Sequence, residues 1–241
     1  MSKSTFRYKP LYKKFIRLRK NVQNRKKVTM GAFKKKKWDN LNVFLNRLKY
    51  RRKKNFRVYD LTRYHIQRYG TSSKRKFLFN LLIKQRLSLF YGLLKDSYFK
   101  MLLKTGKSKC LISKSVPSNH LIKSLEARLD TVLYRSHFVK SIREARLIIQ
   151  HGHISVNSST TRNNRYYLQK GDLIEISSKY SHIIKKNILS SNLWPLPPIY
   201  LMVNYRTFTI IHLNKSQIGN FSGNYPFFPN FNSVINYHKY Q

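Results

Sequence analysis

Lys140, Arg146 and His151 flank the tetrapeptide Ser141-Ile142-Arg143-Glu144, which itself carries Arg143. A serine followed three residues later by glutamate marks a helix start, because each side chain satisfies a backbone N–H that the helix leaves open. On a helix beginning at Ser141, the side chains of Ile142, Ala145, Ile148 and Ile149 point inward. Arg143, Arg146 and Gln150 then point outward, with Lys140 just before the helix and His151 at its end. Cations on one helix face, beside the free N–H groups of a helix N-terminus, bind phosphate. They do not by themselves make or break bonds. Cys110 is the single cysteine, so neither an internal disulfide nor a zinc site built on several cysteines is available. The eight histidines form no metal-like or triad-like cluster, and His151 and His153 sit two apart at a helix-to-strand junction.

The elements that must position these residues lie between Ser124 and Ser177. Leu125, Leu129, Val132 and Leu133 make an apolar helix face that Ser124 is placed to cap. Gly152 stops the second helix. His153-Ile154-Ser155-Val156-Asn157 alternates like a strand, and Asn157-Ser158-Ser159 turns the chain. Lys170-Gly171-Asp172 turns it again into Leu173-Ile174-Glu175-Ile176. Two helices, a strand, a turn-rich loop and a closing strand are the expected unit.

Charge sets this unit apart from its surroundings. The 241-residue chain carries 50 Lys+Arg against 8 Asp+Glu, a formal net charge of +42. Five of the acids fall in residues 124–177, which hold 8 basic residues. Residues 1–60 hold 22 basic and 2 acidic residues, residues 61–123 hold 14 and 1, and residues 178–241 hold 6 and none. A chain with 41% apolar residues has a core to build, but at +42 it repels itself unless a polyanion neutralises it. Acidic metabolites are too small for that, and no run of about 20 apolar residues offers a membrane span.

The first 37 residues look like a basic arm, with Arg25-Lys26-Lys27 and Lys34-Lys35-Lys36-Lys37 as its densest runs. Phe6, Tyr8, Tyr12 and Phe15 interleave with the charges, an arrangement suited to stacking on bases. Trp38, Leu41, Phe44, Leu45 and Leu48 share a helix face, and the opposite face runs into Arg47, Lys49, Arg51, Arg52, Lys53 and Lys54. A longer stripe from Leu78 to Leu102 predicts a helix ending at Thr105-Gly106. Residues 107–123 look like a polar linker. Past residue 178 the composition shifts, and Trp194-Pro195-Leu196-Pro197-Pro198 is rigid and extended. Ile199 to Leu213 has the character of a hairpin turning near Asn204-Tyr205-Arg206, and the tail from Gly219 shows no helical period.

Several of these residues resemble a known family. Arg128-Leu129-Asp130, Tyr134-Arg135, Phe138, Ser141, Glu144-Ala145-Arg146, His151, Ile154, Val156-Asn157 and Gly171-Asp172 look like the RNA-binding module of the small-subunit ribosomal protein S-four family. Lys84-Gln85 with Tyr91-Gly92 and Leu94 resembles a helix that precedes the module there, and Trp194 to Val203 resembles the C-terminal return. The likeness covers roughly residues 80–213. It implies an α+β fold: a mostly helical part plus a small module of two helices and short strands, with a basic N-terminal arm. The expected divisions are 1–37, 38–123, 124–178 and a return segment, 179–241, packed on the helical part. The resemblance implies a structural, non-enzymatic constituent of the small ribosomal subunit that binds rRNA at a junction in its 5′ domain. Neighbouring small-subunit proteins near the mRNA entry are its expected protein partners. No cofactor, metal, membrane or small-molecule substrate is implied.

The resemblance adds Arg128, Arg135, Ser141, Asn157 and Arg162 to the expected rRNA contacts. Lys140, Arg143, Arg146, His151, Arg25, Lys26, Lys27, Lys34, Lys35, Lys36, Lys37, Arg51, Arg52, Lys53 and Lys54 complete them. The Pro-rich return and the Asn/Lys/Ile/Phe/Tyr bias point to an organellar version, mitochondrial before plastid or bacterial. The alternative is a stand-alone or RNA-modifying protein with the same module, since Arg128-Leu129-Asp130 is similar to the catalytic Arg-Leu-Asp of pseudouridine synthases. Here, however, that tripeptide lies inside the module's first helix, where Asp130 is expected to be an ion-pair or cap partner.

Overall fold

The computed structural model describes residues 12–18, 22, 40–41, 43–44, 47, 73–113, 117–191, 193, 196–213, 225–227 and 229–239. The chain forms two compact units, one from residues 1–70 with 225–228 and one from 71–224 with 229–241. The expected helical part (from residue 71), module and return therefore share a single unit.

In the first unit, α1 (Tyr12–Leu18) buries Phe15 and Leu18, and Val22 and Leu41 are buried as well. Phe15 thus belongs to a core and is not available to stack on bases, because residues three apart on a helix share a side. Phe44, expected beside Leu41, is exposed. Trp38, Leu45, Leu48 and the basic runs at 25–27, 34–37 and 51–54 lie outside the described residues.

The second unit opens with α2 (Ser73–Phe90), α3 (Asp96–Ser113) and α4 (Pro117–Glu126). The stripe expected to run unbroken from Leu78 to Leu102 is cut at Tyr91–Lys95. Gly92 and Leu93 there take positive φ values of 72° and 62°. The Leu93 N–H donates to the Ser88 carbonyl (2.7 Å), and the Ser88 hydroxyl donates to the Leu94 carbonyl (2.7 Å). The expected stop at Thr105-Gly106 is also absent. The Thr105 hydroxyl turns back onto the Met101 and Leu102 carbonyls (3.2 and 3.0 Å). Gly106 stays helical, and a Cβ there would lie 3.1 Å from His120 Nδ1 on α4. The expected linker at 107–123 is therefore largely helix. Pro117 opens α4, where its missing N–H costs nothing.

The module's first helix also comes in two pieces. Ser124, the expected cap, lies inside α4, and a new helix, α5 (Leu129–Arg135), begins after an extended Arg128. The Leu129 N–H donates to the Tyr166 carbonyl (3.0 Å), and the Leu168 N–H donates to the Ala127 carbonyl (2.8 Å). The turn-rich loop thus takes up the backbone groups that the break leaves open. The next helix, α6 (Ile142–Gln150), is as expected: Ile142, Ala145, Ile148 and Ile149 are buried, and Ser141 Oγ accepts the Glu144 N–H at 3.2 Å. Gly152 has φ +74°, and the N–H groups of Gly152 and His153 return to the Ile149 and Ile148 carbonyls.

Five antiparallel strands form one sheet in the order β2-β1-β3-β5-β4: β1 (Ile154–Val156), β2 (Ser159–Thr160), β3 (Leu173–Ile176), β4 (Leu201–Asn204) and β5 (Thr209–His212). Val156, Ile174 and Ile210 face the α5–α6 core of Leu133, Phe138, Ile148 and Ile149. The expected β4–β5 hairpin forms and joins the sheet through β3, so this part of the return completes the module. An unexpected helix, α7 (Ser181–Ser191), buries Asn187, whose Nδ2 donates to the Phe138 carbonyl (3.1 Å). A second, α8 (Phe231–Lys239), packs on α2 and buries Val234, Ile235 and Tyr237. Asn230 Oδ1 accepts the Ser233 N–H at 3.0 Å and starts α8.

Candidate nucleic-acid interface

The expected contact residues separate into two groups. Lys140, His151 and Arg162 are exposed, and Arg143 is half-buried on α6. Arg162 Nε lies 3.5 Å from where a Cβ on Gly152 would stand, which brings it next to His151 at the C-terminal end of α6. Lys140 stands at the other end. The helix between them rises about 1.5 Å per residue, so these side chains are spread over roughly 14 Å. Arg165, Lys170, Lys185 and Lys186 are also exposed and were not among the expected contacts. The N-terminus of α6, expected to receive phosphate, is occupied by the chain itself. Ser141 takes one N–H, and Glu144 Oε2 accepts the Lys140 N–H at 2.6 Å. A carboxylate already stands where the helix dipole attracts an anion.

Three of the expected contacts are internal. Arg128 and Asp130 are both buried. Arg128 Nε and Nη2 donate to Asp130 Oδ1 and Oδ2 (2.9 and 2.7 Å), with the Tyr98 ring 5.1 Å from the guanidinium. Burial works against the Arg128 charge, but the Asp130 hydrogen bonds and charge outweigh it and raise its pKa. Arg146, expected to face outward, donates through Nε to Asp130 Oδ2 (2.8 Å). Its Nη1 and Nη2 donate to the Gly92 and Tyr91 carbonyls (2.6 and 2.8 Å). A Cβ at Gly92 would sit 3.0 Å from both Arg146 terminal nitrogens and from Ile142 Cγ2, so a side chain there would have to displace them at a φ that favours glycine.

The third is Arg135. Its Nη2 and Nε donate to Glu126 Oε1 and Oε2 (2.6 and 3.0 Å). The Tyr91 hydroxyl donates to Oε1 (2.5 Å) and the Tyr200 hydroxyl to Oε2 (2.6 Å). Burial alone would raise the Glu126 pKa. The Arg135 charge and the three donors outweigh it and hold the carboxyl below its ordinary value. Two buried carboxylates, Glu126 and Asp130, therefore fasten the turn after α2 and the start of β4 to the module. Arg128, Arg135 and Arg146 saturate those carboxylates and are not an outward phosphate face.

Asn157 works in the same way. It sits at φ +50°, its Nδ2 donates to Asp172 Oδ1 (3.0 Å), and its Oδ1 accepts the Leu173 N–H (2.9 Å). Asp130, with both oxygens taken, is the ion-pair partner the sequence suggested.

Residues 127–174 match the S4 domain. Small ribosomal subunit protein uS4m of Reclinomonas americana is 32% identical over 183 residues, covering 73% of this chain and 67% of its own length. The chain belongs to the uS4 family of small-subunit ribosomal proteins. Small ribosomal subunit protein uS4 of Aquifex aeolicus is 35% identical over 127 residues, 52% of this chain and 58% of its own. That of Karelsulcia muelleri is 32% identical over 130 residues, 52% of this chain and 64% of its own. For this uS4 chain, the S4-domain match begins at Ala127, where α4 gives way to α5, and ends within β3. It therefore leaves out the β4–β5 hairpin that completes the sheet. Among the described residues no group of His, Cys, Asp and Glu could hold a metal ion. No described helix is long and apolar enough to cross a membrane.

Proposed function

We propose that this chain is a structural constituent of the small ribosomal subunit that binds the subunit's rRNA directly and supports its assembly and translation. Family membership across most of the chain carries this reading. Lys140, His151 and Arg162, exposed along α6 and its flanks, and the half-buried Arg143 are the phosphate contacts. Arg165 and Lys170, exposed in the segment that follows Arg162, add to them. Phosphate contact supplies affinity, and the shape of folded RNA supplies selectivity. The site on the RNA is the 5′-domain junction, and the neighbours are small-subunit proteins near the mRNA entry. The compartment is the mitochondrion, a reading supported by the likeness to a uS4m protein and by the Asn/Lys/Ile/Phe/Tyr bias. This reading assigns no catalytic role to the Arg-Leu-Asp tripeptide, whose Asp130 is buried and paired with the Arg128 and Arg146 guanidinium groups.

Sucrose-gradient sedimentation of mitochondrial lysate from cells expressing a tagged full chain tests the reading. Co-migration with the small subunit, surviving a moderate salt wash, is expected. A chain found only at the top of the gradient overturns it.

A further inference from the structure

The outward face of the sheet differs from the rest of this basic molecule. Cross-strand pairing aligns Thr160, Ser155, Glu175, Thr209 and Asn204 in one row. A second row on the same face is apolar: Leu173, Ile211 and Met202. A shallow groove lies along the first row, and its lining includes His153, Ser155, Thr160, Glu175, Thr207 and Thr209. Glu175 sits at its centre on β3.

Glu175 is also chemically exceptional. Asp96 pairs with Lys84, Glu126 with Arg135, and Asp130 with Arg128 and Arg146. Glu144 caps α6, and Asp172 accepts from Asn157 and Gln169. Among the described residues Glu175 alone is a carboxylate with no ion pair or side-chain hydrogen bond. An unmatched carboxylate repels phosphate and attracts an ammonium or a guanidinium, to which the neighbouring Ser and Thr hydroxyls can add acceptor lone pairs. The adjoining apolar row suits the methylene stem of the same side chain.

We propose that this face docks a segment of another protein, one that presents a lysine or arginine beside an apolar residue. Glu175 receives the cation. The proposal rests on the ribosomal reading above and assigns the α6 edge to RNA and the sheet face to protein.

The test places the photo-crosslinker p-benzoylphenylalanine at Met202, exposed on this face, in the otherwise full chain, and irradiates purified small subunits. Expected is a protein crosslink whose linked peptide, identified by mass spectrometry, carries Lys or Arg within two residues of the linked atom. Adding Glu175→Lys should lower its yield about tenfold or more, through like-charge repulsion. Glu175→Asp should restore most of the yield. A link to rRNA, to a second copy of this chain or to a peptide without a cation overturns the proposal. So does the absence of a link, or a yield indifferent to Glu175→Lys. A chain that never enters the subunit overturns the ribosomal reading and this proposal with it, whereas one that enters and links to rRNA overturns the proposal alone.

Discussion

An arginine in a basic protein is ordinarily counted as available charge, and here that count misleads at three positions. Arg135→Ala would leave Glu126 buried with only tyrosine hydroxyls for company, and breaking a buried pair of this kind costs about 3–5 kcal/mol. Thermal melting of the variant should show that loss; an unchanged melting temperature would mean the pair is not buried in solution. Lys140→Ala with Arg162→Ala should do the opposite. Both side chains are exposed, so the melting temperature should hold while the dependence of log K on log salt becomes shallower by about two contacts. Glu126 adds a pH dependence. Its folded pKa is held below the unfolded value, so its stabilisation is complete above the unfolded pKa and is lost as pH falls through the folded one. Acid titration of stability should therefore steepen below about pH 4. Glu126→Gln should flatten that limb.

Among the elements, α6 was the most legible from sequence. Its serine cap, its apolar spacing and its stop glycine are all local signals found at the expected residues, although the Glu144 carboxylate takes the Lys140 N–H rather than that of Ser141. Ile148→Ala should cost about 2–5 kcal/mol, since the side chain is buried between α5 and the sheet. Gly92→Ala should also lower the melting point, because a positive φ costs an L-residue about 1–2 kcal/mol before the clash with Arg146 is counted. A Gly92→Ala variant as stable as the parent would show that the turn can relax. What the sequence concealed depended on distant partners. Arg143 and Arg146 share the polar side of α6, yet only the turn at Tyr91–Gly92, more than fifty residues upstream, decides that Arg146 faces inward. The break at Ala127–Arg128 likewise reflects Tyr166 and Leu168, which no helical period reports. Thr105-Gly106 carried a true stop signal, and packing against His120 overrode it. The helix α8 was hidden because Asn, Ser and His interrupt its apolar face.

For the whole molecule, the +42 charge predicts that affinity for structured RNA falls steeply with salt, by about 0.7–0.9 log units per log unit of salt for each phosphate neutralised. A flat response in filter-binding titrations would sink the polyanion reading. Removing residues 1–37 should weaken RNA binding and also loosen the first unit. It deletes Phe15, Leu18 and Val22 from the buried set of the first unit, so hydrogen exchange at Leu41 should accelerate. The unit built from 71–224 and 229–241 should keep its own cooperative melt. The packing of α8 on α2 bears on synthesis as well as on stability. The two helices are separated by the entire module and its return hairpin, so a ribosome making this chain must deliver all of that before the α2 face finds its cover. Contacts that distant close slowly. The nascent protein therefore exposes a sticky helix for most of its own translation, which makes α2 the natural hold for a chaperone and a stall before residue 231 the natural route to aggregation.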